Sequence, residues 1–77
     1  MDYAQKIRDL REDRDLTQAQ IAQLLNTSKN QIGKYERGEQ ELPIRHLIAL
    51  ANFYNVSTDY ILGMPKGMPY GHSKTRK

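Results

Sequence analysis

The chain contains no cysteine, which excludes disulfides and cysteine-ligated zinc, the usual staples of very small folds. Its core must come from apolar packing alone, a condition that suits a reducing compartment. Long apolar runs are also missing, since nothing approaches the roughly 18 residues that a membrane span needs. A composition of 38% hydrophobic and 27% charged residues is that of a soluble globular chain. The opening stretch, Met1-Asp2-Tyr3-Ala4-Gln5-Lys6-Ile7-Arg8, lacks a cationic end followed by an apolar segment and a cleavage site, so no secretory signal is expected and the expected location is cytoplasmic. No segment alternates with period two over a useful length, and no internal repeat is present. The 77 residues leave room for one small domain, and none for a catalytic domain beside a cofactor domain.

Charge of one sign is scarce where it would be most informative. The net charge is +3, yet residues 1–16 sum to −1, residues 17–42 and 43–63 each to zero, and residues 64–77 to +4. The whole excess lies in a segment of Met, Pro, Gly, His and Ser, so the expected organisation is a domain over 1–63 and a basic, flexible C-terminal tail over 64–77. Bulk charge is therefore weak support for an anionic partner. The case rests on where a few cations sit.

Start and stop signals for helices recur at short intervals. Asp2 with Gln5, Thr17 with Gln20, and Ser28 with Gln31 have capping-box spacing, in which side chains satisfy the free amides of a helix start. Leu16 before Thr17, Thr27 before Ser28 and Val56 before Ser57 stand five residues ahead of Ile21, Ile32 and Ile61, the spacing of a hydrophobic staple. Stops fall at Asn26, Gly38, Asn55 and Gly63, residue types that readily take the left-handed conformation. Pro43 suits a helix start. Between these marks Ile7 and Leu10, Ile21 and Leu25, Ile32 and Tyr35, and Ile44, Leu47, Ile48 and Ala51 recur at three- and four-residue spacing. The prediction is an all-α fold of five helices over about 2–13, 18–25, 29–37, 43–54 and 58–62.

The second and third helices are joined by Leu25-Asn26-Thr27 with no spare residues, which is helix-turn-helix spacing. Ala22 supplies the small residue a tight elbow needs, Asn26 tolerates positive φ in the turn, and Ile32 supplies the inner aliphatic. At about 100° per residue, setting Lys29 at zero puts Gly33 near 40°, Arg37 near 80°, Asn30 near 100° and Lys34 near 140°. Ile32, Tyr35 and Glu36 fall on the opposite half. The outward arc thus carries three cations, an amide and a glycine, with no carboxylate. Lys can donate to guanine O6 and N7, Asn can pair with adenine N6 and N7, and a terminal Arg can hold a phosphate. Lys29, Asn30 and Lys34 are the candidate base-contacting residues, and Arg37 is a candidate phosphate contact. Mid-helix Gly33 costs about 1 kcal/mol relative to Ala, which close approach of the helix to a duplex would offset.

The phrases Leu16-Thr17-Gln18, Ser28-Lys29-Asn30-Gln31-Ile32, Lys34-Tyr35-Glu36-Arg37-Gly38, Leu42-Pro43 and Asn55-Val56-Ser57-Thr58-Asp59-Tyr60-Ile61-Leu62-Gly63, at their mutual spacing, resemble the Cro/cI-type (XRE) helix-turn-helix family of bacterial and phage repressors. The resemblance covers about residues 5–63. It implies a five-helix, lambda-repressor-like DNA-binding domain with the helix-turn-helix at about 17–37, binding palindromic operator DNA as a homodimer. It further implies that Gln18 contacts a phosphate, that Lys29, Asn30 and Lys34 face base edges, and that Arg11 pairs with Glu36 as a structural clamp. Two departures stand out: Asn26 where the family usually has Gly, and Glu39 and Glu41 in the loop before Pro43, which weaken attraction for phosphate.

Other residues have plainer readings. His46 and His72 have no ligand partner at usable spacing, so no metal or other cofactor is expected. Thr17, Ser28 and Ser57 are accounted for as caps, and no catalysis is assigned. Ile61 and Leu62 are read as core, with Tyr60 and Met64 as candidates for a dimer face. The Lys74-Thr75-Arg76-Lys77 end is read as a solubilising tail. The rival function is an antitoxin-like protein-interaction module on the same fold.

Overall fold

The computed structural model describes residues 3–64. The described residues form five helices: α1 (Tyr3–Asp13), α2 (Gln18–Leu24), α3 (Lys29–Glu36), α4 (Ile44–Tyr54) and α5 (Thr58–Leu62). The all-α prediction and its boundaries hold to within a residue or so. The predicted cap Asp2 and tail residues 65–77, with His72, lie outside the described residues.

The predicted starts form by the expected chemistry. Thr17 Oγ1 accepts from the Gln20 amide at 3.1 Å while Gln20 Oε1 accepts from the Thr17 amide at 2.8 Å, a complete capping box. Ser28 Oγ accepts from the Gln31 amide at 3.1 Å and Ser57 Oγ from the Tyr60 amide at 3.0 Å; the Gln31 side chain does not return a bond to the Ser28 amide, so the box predicted there is half made. Pro43 precedes α4 with φ −62° and no side-chain cap. All five helices close alike. A left-handed residue, Asp15, Asn26, Gly38, Asn55 or Gly63, has φ between 56° and 74°. The amide of the next residue then reaches back over the last turn: Leu16 to the Arg11 carbonyl, Thr27 to Ala22, Glu39 to Lys34, Val56 to Ala51 and Met64 to Asp59, at 2.9–3.1 Å. This is the Schellman closure, which satisfies carbonyls left free by the helix end. Asp15 was not among the predicted stops; Asp tolerates the left-handed region much as Asn does.

The core gathers Ala4, Ile7 and Leu10 of α1, Ile21 and Ala22 of α2, Leu25, Ile32 and Tyr35, Leu50, Ala51 and Tyr54 of α4, and Ile61 of α5. Leu16 and Val56, two of the three predicted staple residues, pack against it. Burying a side chain such as Ile32 or Ile61 contributes about 1.5 to 3 kcal/mol, so α2, α3 and α5, too short to be stable alone, hold together through this centre. Tyr3 Oη accepts from the Leu42 amide at 3.1 Å, tying the loop before α4 to α1.

One predicted core face is corrected. Ile44 is 74% and Ile48 49% exposed, and the row that α4 buries is His46, Leu50, Ala51 and Tyr54. The apolar arc of α4 is wider than the core can cover, and the helix is turned so that His46 enters the interior. There Tyr35 Oη and His46 Nδ1 are 3.3 Å apart, and the two rings meet edge to face. The hydrogen bond removes much of the cost of burying an imidazole.

Burial lowers the His46 pKa, and neighbouring Arg45 lowers it further. In the folded chain the ring therefore stays neutral at pH values where the unfolded chain, with its ordinary value near 6.5, already binds a proton. Stability is expected to fall as pH drops below about 6.5, and to level off below the depressed folded value. Melting temperatures at pH 7.5 and 5.5, compared between the native chain and His46→Phe, check this. The drop on acidification should be smaller in the variant, and an equal drop would refute the assignment to His46.

Candidate nucleic-acid interface

The relation between α2 and α3 is set by backbone chemistry. Thr27 donates to the Ala22 carbonyl at 2.9 Å and Asn26, at φ 57°, to that of Gln23 at 3.2 Å. Ala22 and Ile32 are both buried, which lets the helices meet closely. α3 presents Ile32 and Tyr35 inward.

The Arg11–Glu36 pair forms as expected. Arg11 Nε and Nη2 donate to Glu36 Oε2 and Oε1 at 2.7 and 3.0 Å, while Nη1 donates to the Leu16 carbonyl at 2.8 Å. The side chains are only 12% and 5% exposed. The hydrogen bond with Glu36 is the main cause of the raised Arg11 pKa, against a lowering by burial. Gln18 Nε2 adds a third donor, to Glu36 Oε1 at 3.0 Å. The carboxylate thus joins α1, α2 and α3. The Gln18 bond was not foreseen, and it holds the carboxamide at the start of α2.

Lys29, Asn30 and Lys34 are exposed on α3, and the side chains of Lys29 and Asn30 have no hydrogen bond or ion pair among the described residues. Gly33 departs from its predicted place. Angular spacing places it on the open arc, but it is buried, because the Arg37 guanidinium folds back over it: Nη1 lies 2.8 Å from where a Cβ on Gly33 would stand. Arg37 itself is held by Glu39, Nε to Oε2 at 2.7 Å and Nη2 to Oε1 at 3.2 Å. The hydrogen bond from Arg37 is the main reason the Glu39 pKa is lowered, and Lys34 contributes as well. The spacing Arg37-Gly38-Glu39 was the available signal for this pair; two side chains flanking a left-handed glycine are turned to one side of the closure.

Tyr60 and Met64, the predicted dimer-face residues, are 49% and 44% exposed. Lys6 Nζ stands 4.5 Å from the Tyr60 ring centroid. Leu24, Ile44, Ile48 and Phe53 are further exposed apolar residues that the sequence had not marked as surface. Among the described residues no group of three or more His, Asp or Glu could hold a metal ion, and no helix is long and apolar enough to cross a membrane.

Two short helices locked at a fixed elbow, the second carrying exposed cations and an amide on its outer face, define a helix-turn-helix module. The helix-turn-helix family profile matches residues 7–61. The chain belongs to that family, the XRE type of transcriptional regulators. It is 40% identical over 62 residues to the uncharacterized HTH-type transcriptional regulator YobD of Bacillus subtilis (strain 168), covering 80% of this chain and 55% of that one. It is 41% identical over 54 residues to the cryptic phage CTXphi transcriptional repressor RstR of Vibrio cholerae, covering 70% and 49%. The chain thus spans about half the length of these curated relatives. Its fold is similar to that of the P22 c2 repressor, solved in complex with a synthetic operator, with TM-score 0.72 and 28% identity over 79% of this chain and 92% of the other.

Proposed function

We propose that this chain is a sequence-specific DNA-binding transcriptional regulator, a repressor, that binds a palindromic operator as a homodimer and lays α3 of each subunit in successive major grooves. The observation that carries the proposal is the outer face of α3, where Lys29, Asn30 and Lys34 are exposed on a helix whose inner face is locked by Ile32, Tyr35 and the Glu36 clamp. A rigid helix with donors for guanine and a bidentate partner for adenine meets the chemical needs of base reading. Gln18, whose carboxamide is oriented by Glu36, supplies a phosphate contact at the start of α2. RstR is named a repressor, and the P22 c2 structure contains operator DNA, which supports the same reading.

Exposed apolar surface on α4 and α5, with Ile44, Ile48, Tyr60 and Met64, supports self-association. Half-sites are expected about 34 to 36 Å apart, one helical turn. Selection from random duplex DNA at two salt concentrations tests the function: a palindrome should emerge, with a shallow loss of affinity at the higher salt because residues 1–63 sum to −1 and few phosphates are neutralised. Recovery of no preferred sequence would refute the reading. Ile44→Asp with Ile48→Asp should leave melting nearly unchanged, as both are exposed, and lower the dimer fraction in sedimentation; Tyr60→Asp serves as the comparison for the α5 face.

A further inference from the structure

The Arg37–Glu39 pair has more to it than a surface ion pair at the end of a helix. Such pairs alone contribute little and hold no single geometry, and here the side chains are 57% and 54% exposed. Three local features give this one a defined pose. Glu39 follows the left-handed Gly38, and its own amide is bound to the Lys34 carbonyl at 2.9 Å, so its backbone is anchored to the last turn of α3. Its carboxylate takes two donors of the guanidinium, Nε and Nη2. The guanidinium in turn lies where any side chain at position 33 would stand. Helical side chains lean toward the N-terminus, and Arg37 leans onto the residue four before it.

That pose puts the guanidinium in the middle of the outward arc. Lys29 and Lys34 stand at its two sides, about 140° apart, and Gly33 and Arg37 lie between them at about 40° and 80°. With Nε and one Nη2 hydrogen engaged by Glu39, three of the five N–H donors remain, including the pair on the Nη1 and Nη2 edge. Two parallel donors are the geometry that reads guanine O6 and N7 together. Phosphate also accepts such a fork; what favours a base here is the place of the guanidinium, seated on Gly33 between Lys29 and Lys34 and not at the rim of the face.

We infer that Arg37 is a base-reading residue rather than a phosphate anchor: seated on Gly33 and squared by Glu39, it presents its free edge to a guanine. Gly33 and Glu39 are positioning residues for that contact. The mid-helix glycine then serves to admit the chain's own guanidinium to the centre of the face, and the carboxylate that lowers general attraction for DNA serves to aim it. The inference rests on the DNA-binding reading above.

The test uses the full chain and the duplex it selects from random DNA, with every position then varied singly. Arg37→Lys keeps the charge and removes the fork. It should lose about tenfold in affinity for the selected duplex and lose preference at one guanine, with affinity for unrelated duplex changed less than twofold. Gly33→Ala puts a methyl group against Nη1, and Glu39→Gln removes the charged partner. Each should weaken preference at that same guanine and leave the other positions of the site unchanged, with Glu39→Gln binding unrelated duplex more tightly than the native chain. Thermal melting should show all three folded; Gly33→Ala, a better helix former, should melt no lower than the native chain. Equal losses on every duplex with Arg37→Lys, or a guanine preference that survives both Gly33→Ala and Glu39→Gln, would overturn the inference and leave the regulator reading standing. A native chain that selects no sequence would remove both.

Discussion

Replacing Glu36 with Ala is expected to destabilise the fold by about 3 to 5 kcal/mol, the usual cost of leaving a buried charge without its partner. Arg11 would keep its bond to the Leu16 carbonyl but lose both bonds to the carboxylate, and Gln18 would lose its acceptor. A domain of this size has a total stability of roughly 3 to 9 kcal/mol, so the loss takes up much or all of it. Urea denaturation followed by circular dichroism measures the effect. Arg11→Met with Glu36→Leu, which removes both charges together, should be much less damaging than Glu36→Ala, since apolar replacement of a buried pair is often near neutral. If the single variant loses under 1 kcal/mol, the pair is not the clamp described above.

The second large effect concerns DNA. Asn30→Ala should relax preference at one adenine and Lys34→Ala at one guanine, each weakening binding to the selected duplex by about 1 to 3 kcal/mol. Both side chains are exposed, so melting should scarcely change. If they read separate bases, the double variant loses the sum, about 2 to 6 kcal/mol, and approaches affinity for unrelated DNA. Competition titrations with single-position variants of the duplex give the answer. Losses uniform over all sequences would mean that the two residues touch only phosphate.

Much of this architecture was legible because its signals are local. A cap such as Thr17 with Gln20 acts across three residues, and closures at Asn26, Gly38, Asn55 and Gly63 depend on one residue's tolerance of positive φ. Asp15 escaped because Asp is common in exposed loops for other reasons. The turned face of α4 was not legible, since Ile44 and Ile48 satisfy the periodic pattern as well as the residues that are buried; the Tyr35 hydroxyl that gives His46 a partner inside comes from another helix and leaves no mark on that pattern. The outward arc of α3 followed from angular spacing, and the Arg11–Glu36 clamp from family resemblance. Neither route could foresee that Arg37 would fold onto Gly33, because that depends on side-chain direction at a helix end. The two bonds that Arg37 donates to Glu39 were signalled by their spacing about Gly38, but their geometry requires the closure at Gly38 to be in place first.

The placement of Glu36 has a mechanical consequence. Its carboxylate, carried by α3, takes donors from Arg11 of α1 and from Gln18 of α2. A load on the outer face of α3 is therefore shared by three helices and does not fall on the elbow at Asn26 alone.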